Sequence, residues 1–157
     1  MNSADLLAKS YFTLGLLHFR TSSFDSAQVY MNRALKVCET NSLTAEILDN
    51  LGVLYKDLSR YDSAIVYHNQ ALNLQQMMGN REAVAVCYKN IGNVYMQMAK
   101  YDDALDFYTK SHDEYSISGN NKKAIATLYN SMSAAYVGLT QYSKALSYAM
   151  QAVDIQS

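Results

Sequence analysis

Residues 88–104 read Tyr88-Lys89-Asn90-Ile91-Gly92-Asn93-Val94-Tyr95-Met96-Gln97-Met98-Ala99-Lys100-Tyr101-Asp102-Asp103-Ala104. Tyr88, Ile91, Gly92 and Tyr95 are spaced by three and four residues, which puts them on one face of a helix. Tyr101, Ala104, Leu105 and Tyr108 form a second stripe of the same period. Between them lies only a short polar turn near Ala99-Lys100. Two amphipathic stripes joined by so short a link predict an antiparallel helix pair.

Working outward, the same pattern recurs. Phe24-Asp25-Ser26-Ala27, Tyr61-Asp62-Ser63-Ala64 and Tyr142-Ser143-Lys144-Ala145 match Tyr101-Asp102-Asp103-Ala104, and successive alanines are 37, 40 and 41 residues apart. Nine residues before each alanine stands His18, Tyr55, Tyr95 or Tyr136, and three before those stands Gly15, Gly52, Gly92 or Ser133. One register therefore fits four copies. The small residues fall where two helices cross, and small side chains let the axes approach more closely than larger ones. Asp25, Asp62 and Asp102 lie in the first turn of each second helix, where a carboxylate favours the helix dipole. Gly79-Asn80 and Gly119-Asn120 end the second helices of copies two and three, a place suited to a left-handed glycine cap. The first copy ends at Thr40-Asn41-Ser42.

Composition agrees. The chain has 157 residues, no proline, no tryptophan, six glycines and fourteen tyrosines, and half of it is hydrophobic. That excludes collagen-like, proline-rich and highly charged disordered chains. The net charge of -1 argues against nucleic-acid binding, which normally requires a basic surface, and leaves a local basic patch open. Cys38 and Cys87 stand far apart without metal-ligand spacing, and two buried free thiols are expected. The Met-Asn-Ser-Ala-Asp start shows no signal peptide, and no apolar run reaches membrane-spanning length. A cytoplasmic location is expected, or a periplasmic one if the chain is part of a longer sensor protein.

The motif Tyr88-x-x-Ile91-Gly92-x-x-Tyr95 and its match Leu48-x-x-Leu51-Gly52-x-x-Tyr55, each followed by Ala104 or Ala64, resemble the tetratricopeptide repeat. The resemblance runs from about residue 4 to 156. The tryptophan slot of the signature holds Tyr11, Leu48, Tyr88 and Tyr129, the closing proline is missing, and the unit is longer. In these respects the chain resembles the longer-unit branch, of about 40 residues per repeat. The resemblance implies an all-α, right-handed α-solenoid of four helix-turn-helix hairpins, about eight antiparallel helices. Residues 1–157 are then a single repeat domain, with repeats near 4–42, 43–80, 81–120 and 121–157.

Nothing in the sequence reads as an active site. His18, His68 and His112 have packing or rim roles as their simplest reading. Asp102, Asp103 and Asp106 are accounted for by a solvated helix N-terminus, and no phosphate loop or nucleophile elbow is present. The chain is therefore expected to be neither an enzyme nor a cofactor or metal carrier. Arrays of this kind bind partners in a concave groove lined by first helices. The resemblance implies that the residue two before the glycine slot, Thr13, Asn50, Asn90 or Ser131, contacts the main chain of an extended peptide. An amide there offers donors and an acceptor together. Lys56, Lys89 and Asn93 extend that face, with Phe12 and Phe19 as apolar anchors at one end.

The expected function is non-catalytic recognition of a protein or peptide segment, with no nucleic acid and no membrane. The alternative is a regulatory or sensor segment of a larger bacterial signalling protein, a histidine kinase or transcription regulator. Met150, Val153 and Ile155 leave an apolar end where such arrays usually carry a polar cap. That predicts either a segment of a longer protein or a homodimer formed through the uncapped terminal repeat.

Overall fold

The computed structural model describes residues 3–119 and 121–156. Asn120 of the predicted Gly119-Asn120 cap, the terminal Ser157, and Met1-Asn2 of the N-terminal reading lie outside the described residues. The fold is all-α. Eight helices are present among the described residues: α1 Ser3–Arg20, α2 Phe24–Val37, α3 Asn41–Asp57, α4 Tyr61–Met77, α5 Arg81–Gln97, α6 Tyr101–Ser118, α7 Lys122–Gly138 and α8 Tyr142–Gln156. They pair in sequence as four hairpins. The chain divides into two compact units, Met1–Met77 and Met78–Ser157, each holding two hairpins. In the first unit α2 packs on α3, and in the second α6 packs on α7.

The predicted small-residue slots hold the hairpins together. Ala27, Ala64 and Ala104 are fully buried, and Ala145 nearly so. A Cβ on Gly15 would stand 2.7 Å from Met31 Cγ and 3.3 Å from the Ala27 carbonyl oxygen, so the helices meet there at van der Waals distance. Ser133 fills the fourth slot and donates from Oγ to the Ala145 carbonyl at 2.8 Å.

Beside each crossing an aromatic pair stacks. His18 lies on Tyr30, Tyr55 on Tyr67, Tyr95 on Phe107 and Tyr136 on Tyr148, with ring centroids 5.1–5.4 Å apart. Such pairs contribute about 0.5–1.5 kcal/mol beyond their buried area. Tyr142, which matches Tyr101 in register, is 65% exposed, because no further helix covers α8 among the described residues.

The links follow two rules. Inside each hairpin, Ser22, Ser59, Ala99 and Thr140 take a left-handed conformation, with φ of 55–60°. Around each, two backbone bonds close the helix end, as in Lys100 N–H to Tyr95 O and Ala99 N–H to Met96 O, both 3.0 Å. Between hairpins, Gly79 and Gly119 supply positive φ, as their place in the sequence predicts. Asn80 and Asn121 then cap the following helices, accepting from Ala83 N–H at 3.2 Å and Ala124 N–H at 3.1 Å. The first such link has no glycine. There the buried Asp5 carboxylate accepts from the N–H groups of Glu39 and Thr40, at 3.0 and 3.3 Å. Cys38 beside it is only half-buried, unlike Cys87, although both are free thiols.

Candidate functional site

In the second unit the glycine slot governs the site. Gly92 leaves room for the ring of Tyr108, whose Cε1 would stand 2.6 Å from a Cβ at that position. The phenol of Tyr108 thus runs from α6 beneath α5 and is fully buried as a side chain. Its hydroxyl donates to Asn93 Oδ1 at 2.8 Å. Burial pushes its pKa up to about 12, while the neighbouring Ser131 side chain of α7 acts in the opposite direction. Tyr108 therefore joins two of the sequence-predicted groove residues, Asn93 and Ser131. With Oδ1 of Asn93 engaged, its amide NH2 is the end left to meet a carbonyl.

The same unit has a recess of about 250 Å³ lined by Lys89, Tyr115, Asn121, Lys123, Ala124 and Thr127, so two lysines line it. Asn121 also donates to Glu82 Oε1 at 2.7 Å, and Glu82 helps to hold the Tyr115 phenol above its ordinary pKa, behind the larger effect of burial. Lys89 is a residue that the motif register marks, whereas Lys123, in the first turn of α7, lies outside that register.

In the first unit Gly52 makes the equivalent gap for His68, whose ring atoms would stand 2.6–2.7 Å from a Cβ there. His68 is fully buried. Its Nδ1 donates to Asp49 Oδ1 at 2.7 Å, and its Nε2 is buried without a hydrogen-bond partner. The imidazole is a packing residue with a carboxylate orienter. Asp49, which neighbours Asn50 on α3, takes on that internal task.

The slot two residues before the small residue carries a shared feature. Thr13 Oγ1 donates to Lys9 O at 2.9 Å, Asn50 Nδ2 to Glu46 O at 2.9 Å, and Ser131 Oγ to Thr127 O at 3.2 Å. Each donor is tied to its own helix, so the acceptor oxygen of Asn50 is its readier group for a peptide N–H. Asn90, the fourth residue of the slot, is half-buried. Lys56 Nζ is 3.1 Å from Asp57 Oδ1. Phe19 is half-buried and packs on Phe24 at a centroid distance of 5.9 Å. Phe12 is only 4% exposed, which corrects its reading as a surface anchor: its side chain is part of the hydrophobic core.

Among the described residues no group of three or more His, Cys, Asp or Glu is arranged to hold a metal ion. No helix among them is long and apolar enough to cross a membrane.

Comparison with known proteins agrees with this architecture. A family profile described as Tetratricopeptide repeat matches residues 6–77 and 83–157. No curated protein matches the chain in sequence. Among solved structures, the chain is similar to BtubC (BKLC) from P. vanneervenii, with a TM-score of 0.87 and 23% identity over 99% of this chain and 65% of that one. It is similar to aspartyl phosphate phosphatase F from Bacillus subtilis, with a TM-score of 0.90 and 16% identity over 99% of this chain and 41% of that one. The apo form of RapI gives a TM-score of 0.85 and 17% identity over 99% and 44% of the two chains. The chain spans 65% of the first of these structures and less than half of the other two. These likenesses establish the α-solenoid fold class.

Proposed function

The chain belongs to the tetratricopeptide-repeat family, and from that premise we propose that it is a non-catalytic scaffold that binds an extended protein or peptide segment on the first-helix faces of its hairpins. The observation that carries this reading is that Lys89 and Lys123 line one recess, while Asn93, one helical turn beyond Lys89, is held by the Tyr108 hydroxyl. Ammonium groups on a half-open recess suit a carboxylate, from an acidic side chain or a chain end. An amide whose oxygen is already engaged presents its NH2 to a main-chain carbonyl. Asn50 in the first unit and Asn90 in the second are each assigned a main-chain peptide contact, and contacts of this kind give affinity that tolerates sequence variation. The partner is thus an extended segment bearing at least one acidic group.

The test is fluorescence anisotropy of labelled extended peptides, acidic and neutral, against the wild type and the variant Asn50→Ala with Asn90→Ala. Acidic peptides are expected to bind the wild type more tightly, and the variant more weakly, with the helical circular dichroism of the variant unchanged. Equal affinity in that folded variant overturns the asparagine contact, and equal affinity for neutral peptides overturns the charge contact.

A further inference from the structure

We propose that the recess of the second unit is a phosphate site, which takes the phosphorylated side chain of an extended partner segment. The inference rests on the scaffold reading above and narrows its acidic group to a phosphomonoester. The member of the lining that carries it is Tyr115 of α6. This residue is only 2% exposed, yet its hydroxyl makes no hydrogen bond among the described residues. Tyr108, the other buried phenol of the same core, is bonded to Asn93. Buried hydroxyls are normally paired, so one left unpaired on the lining of a recess points to a ligand. Burial first, then the charges of Glu82 and Cys87, raise the Tyr115 pKa. At neutral pH the phenol therefore keeps its proton and is a donor.

The other polar groups of the lining divide into engaged and open. Thr127 Oγ1 donates to the Lys123 carbonyl at 2.9 Å. Asn121 uses both ends of its amide, accepting from Ala124 N–H at 3.1 Å and donating to Glu82 Oε1 at 2.7 Å. Neither Lys89 nor Lys123 has an ion pair among the described residues. The open groups are thus two ammonium groups and one phenol, and all three donate. A carboxylate presents two coplanar oxygens and one charge, and its matching partner is the arginine fork. The lining holds no arginine. A phosphomonoester carries about 1.5 to 2 negative charges at pH 7 and three terminal oxygens. Two compact ammonium charges and a third donor suit that group better. The acceptor oxygens then take what the lysines and Tyr115 have to give, and no engaged contact of Thr127 or Asn121 has to break.

The experiment is fluorescence anisotropy with the whole chain and three pools of labelled extended peptides. The pools are random in sequence except for a central phosphoserine, glutamate or serine, and inorganic phosphate is the fourth probe. The phosphoserine pool is expected to bind about tenfold more tightly than the glutamate pool, the scale of one further charge-assisted hydrogen bond. That preference is expected to fade between about pH 7.5 and about pH 5.5, since phosphate takes up its second proton near pH 6. Tyr115→Phe is expected to abolish the preference with helical circular dichroism unchanged, because the hydroxyl it deletes holds nothing in the fold. Inorganic phosphate is expected to compete only far above the concentration of the phosphoserine pool, because it lacks the main-chain contacts. Phosphoserine and glutamate pools that bind equally, and both more tightly than serine, overturn the phosphate site and leave the scaffold reading standing. Binding by none of the pools overturns both. Equal losses for the two anionic pools in Tyr115→Phe remove the phenol as the phosphate donor and overturn the inference. Inorganic phosphate that binds as tightly as the phosphoserine pool also overturns it, as the mark of a free-anion site.

Discussion

The Tyr108 hydroxyl reaches Asn93 Oδ1 at 2.8 Å only because residue 92 has no side chain. This contact links packing to function: the ring that fills the glycine gap also sets the orientation of a groove amide. It has a signature in pH. Burial raises the Tyr108 pKa from 10.0 to about 12, so the fold favours the neutral phenol. That preference is fully present below pH 10, where the unfolded phenol is also neutral. It is lost as pH rises from 10 through 12, and in that window it removes about 2–3 kcal/mol of stability. Urea unfolding at rising alkaline pH is expected to show this loss. In Tyr108→Phe the slope is expected to be shallower but not absent, because Tyr67, Tyr115 and Tyr148 are also shifted upward by burial. An unchanged slope in that variant counts against Tyr108 as a source of the effect.

Gly92→Leu is expected to cost about 1–3 kcal/mol or more, since even its Cβ would stand 2.6 Å from the Tyr108 ring and 3.2 Å from the Ala104 carbonyl oxygen. The matching gap at Gly52 permits a sharper measurement. A Cβ there meets the whole imidazole edge of His68. Gly52→Ala is therefore expected to destabilise the wild type but to be much milder in a His68→Ala background. A double-mutant cycle by thermal unfolding reads the coupling directly. Additive effects would show that the imidazole is not what the glycine accommodates.

The repeats were legible because packing imposes a period. Gly52, Gly92, Ala64 and Ala104 are visible as slots since a crossing of two helices admits only small residues, and the same crossing returns in every hairpin. What occupies the gap was not legible. The position four after each alanine holds Met31, His68, Tyr108 and Ala149, four unlike residues without a common symbol, so the Tyr108–Asn93 and His68–Asp49 contacts were missed. Asp5 was missed for a related reason: its partners are backbone N–H groups 34 and 35 residues away, which no residue type marks. Phe12 was read as an anchor because a helix face alone does not say which of its flanks a neighbour covers. Of the expected groove residues, Lys89 lines the second unit's recess and Asn93 and Ser131 adjoin Tyr108, while Asn50 and Lys56 belong to the first unit.

Thr140 closes the last hairpin with φ of 60°, a conformation that a β-branched residue adopts only under strain. Left-handed backbone costs a non-glycine residue about 1–2 kcal/mol. Glycine relieves that but loses more freedom on folding, so Thr140→Gly is expected to stabilise by about 0.5–1 kcal/mol net. The opposite change at a position already built for glycine, Gly119→Ala at φ of 87°, is expected to destabilise. Paired denaturant titrations of the two variants check the sign of each. A destabilised Thr140→Gly would mean that the threonine side chain makes a contact worth more than the strain.

Lys89→Glu and Lys123→Glu separate electrostatic selection from shape in the recess. Both lysines line it, and Asn121 of the same lining is already engaged with the Glu82 carboxylate. Reversing either charge is expected to weaken an acidic peptide by about tenfold, the scale of one charge-assisted hydrogen bond, and to leave a neutral peptide nearly unaffected. Because the groups are partly exposed, the wild-type affinity for the acidic peptide is also expected to fall as salt rises, and less so in the variants. Isothermal titration at two ionic strengths measures both effects. Equal losses for acidic and neutral peptides would instead mean that the lysine stems, and not their charges, shape the recess, since long basic side chains also cover apolar surface with their methylene groups.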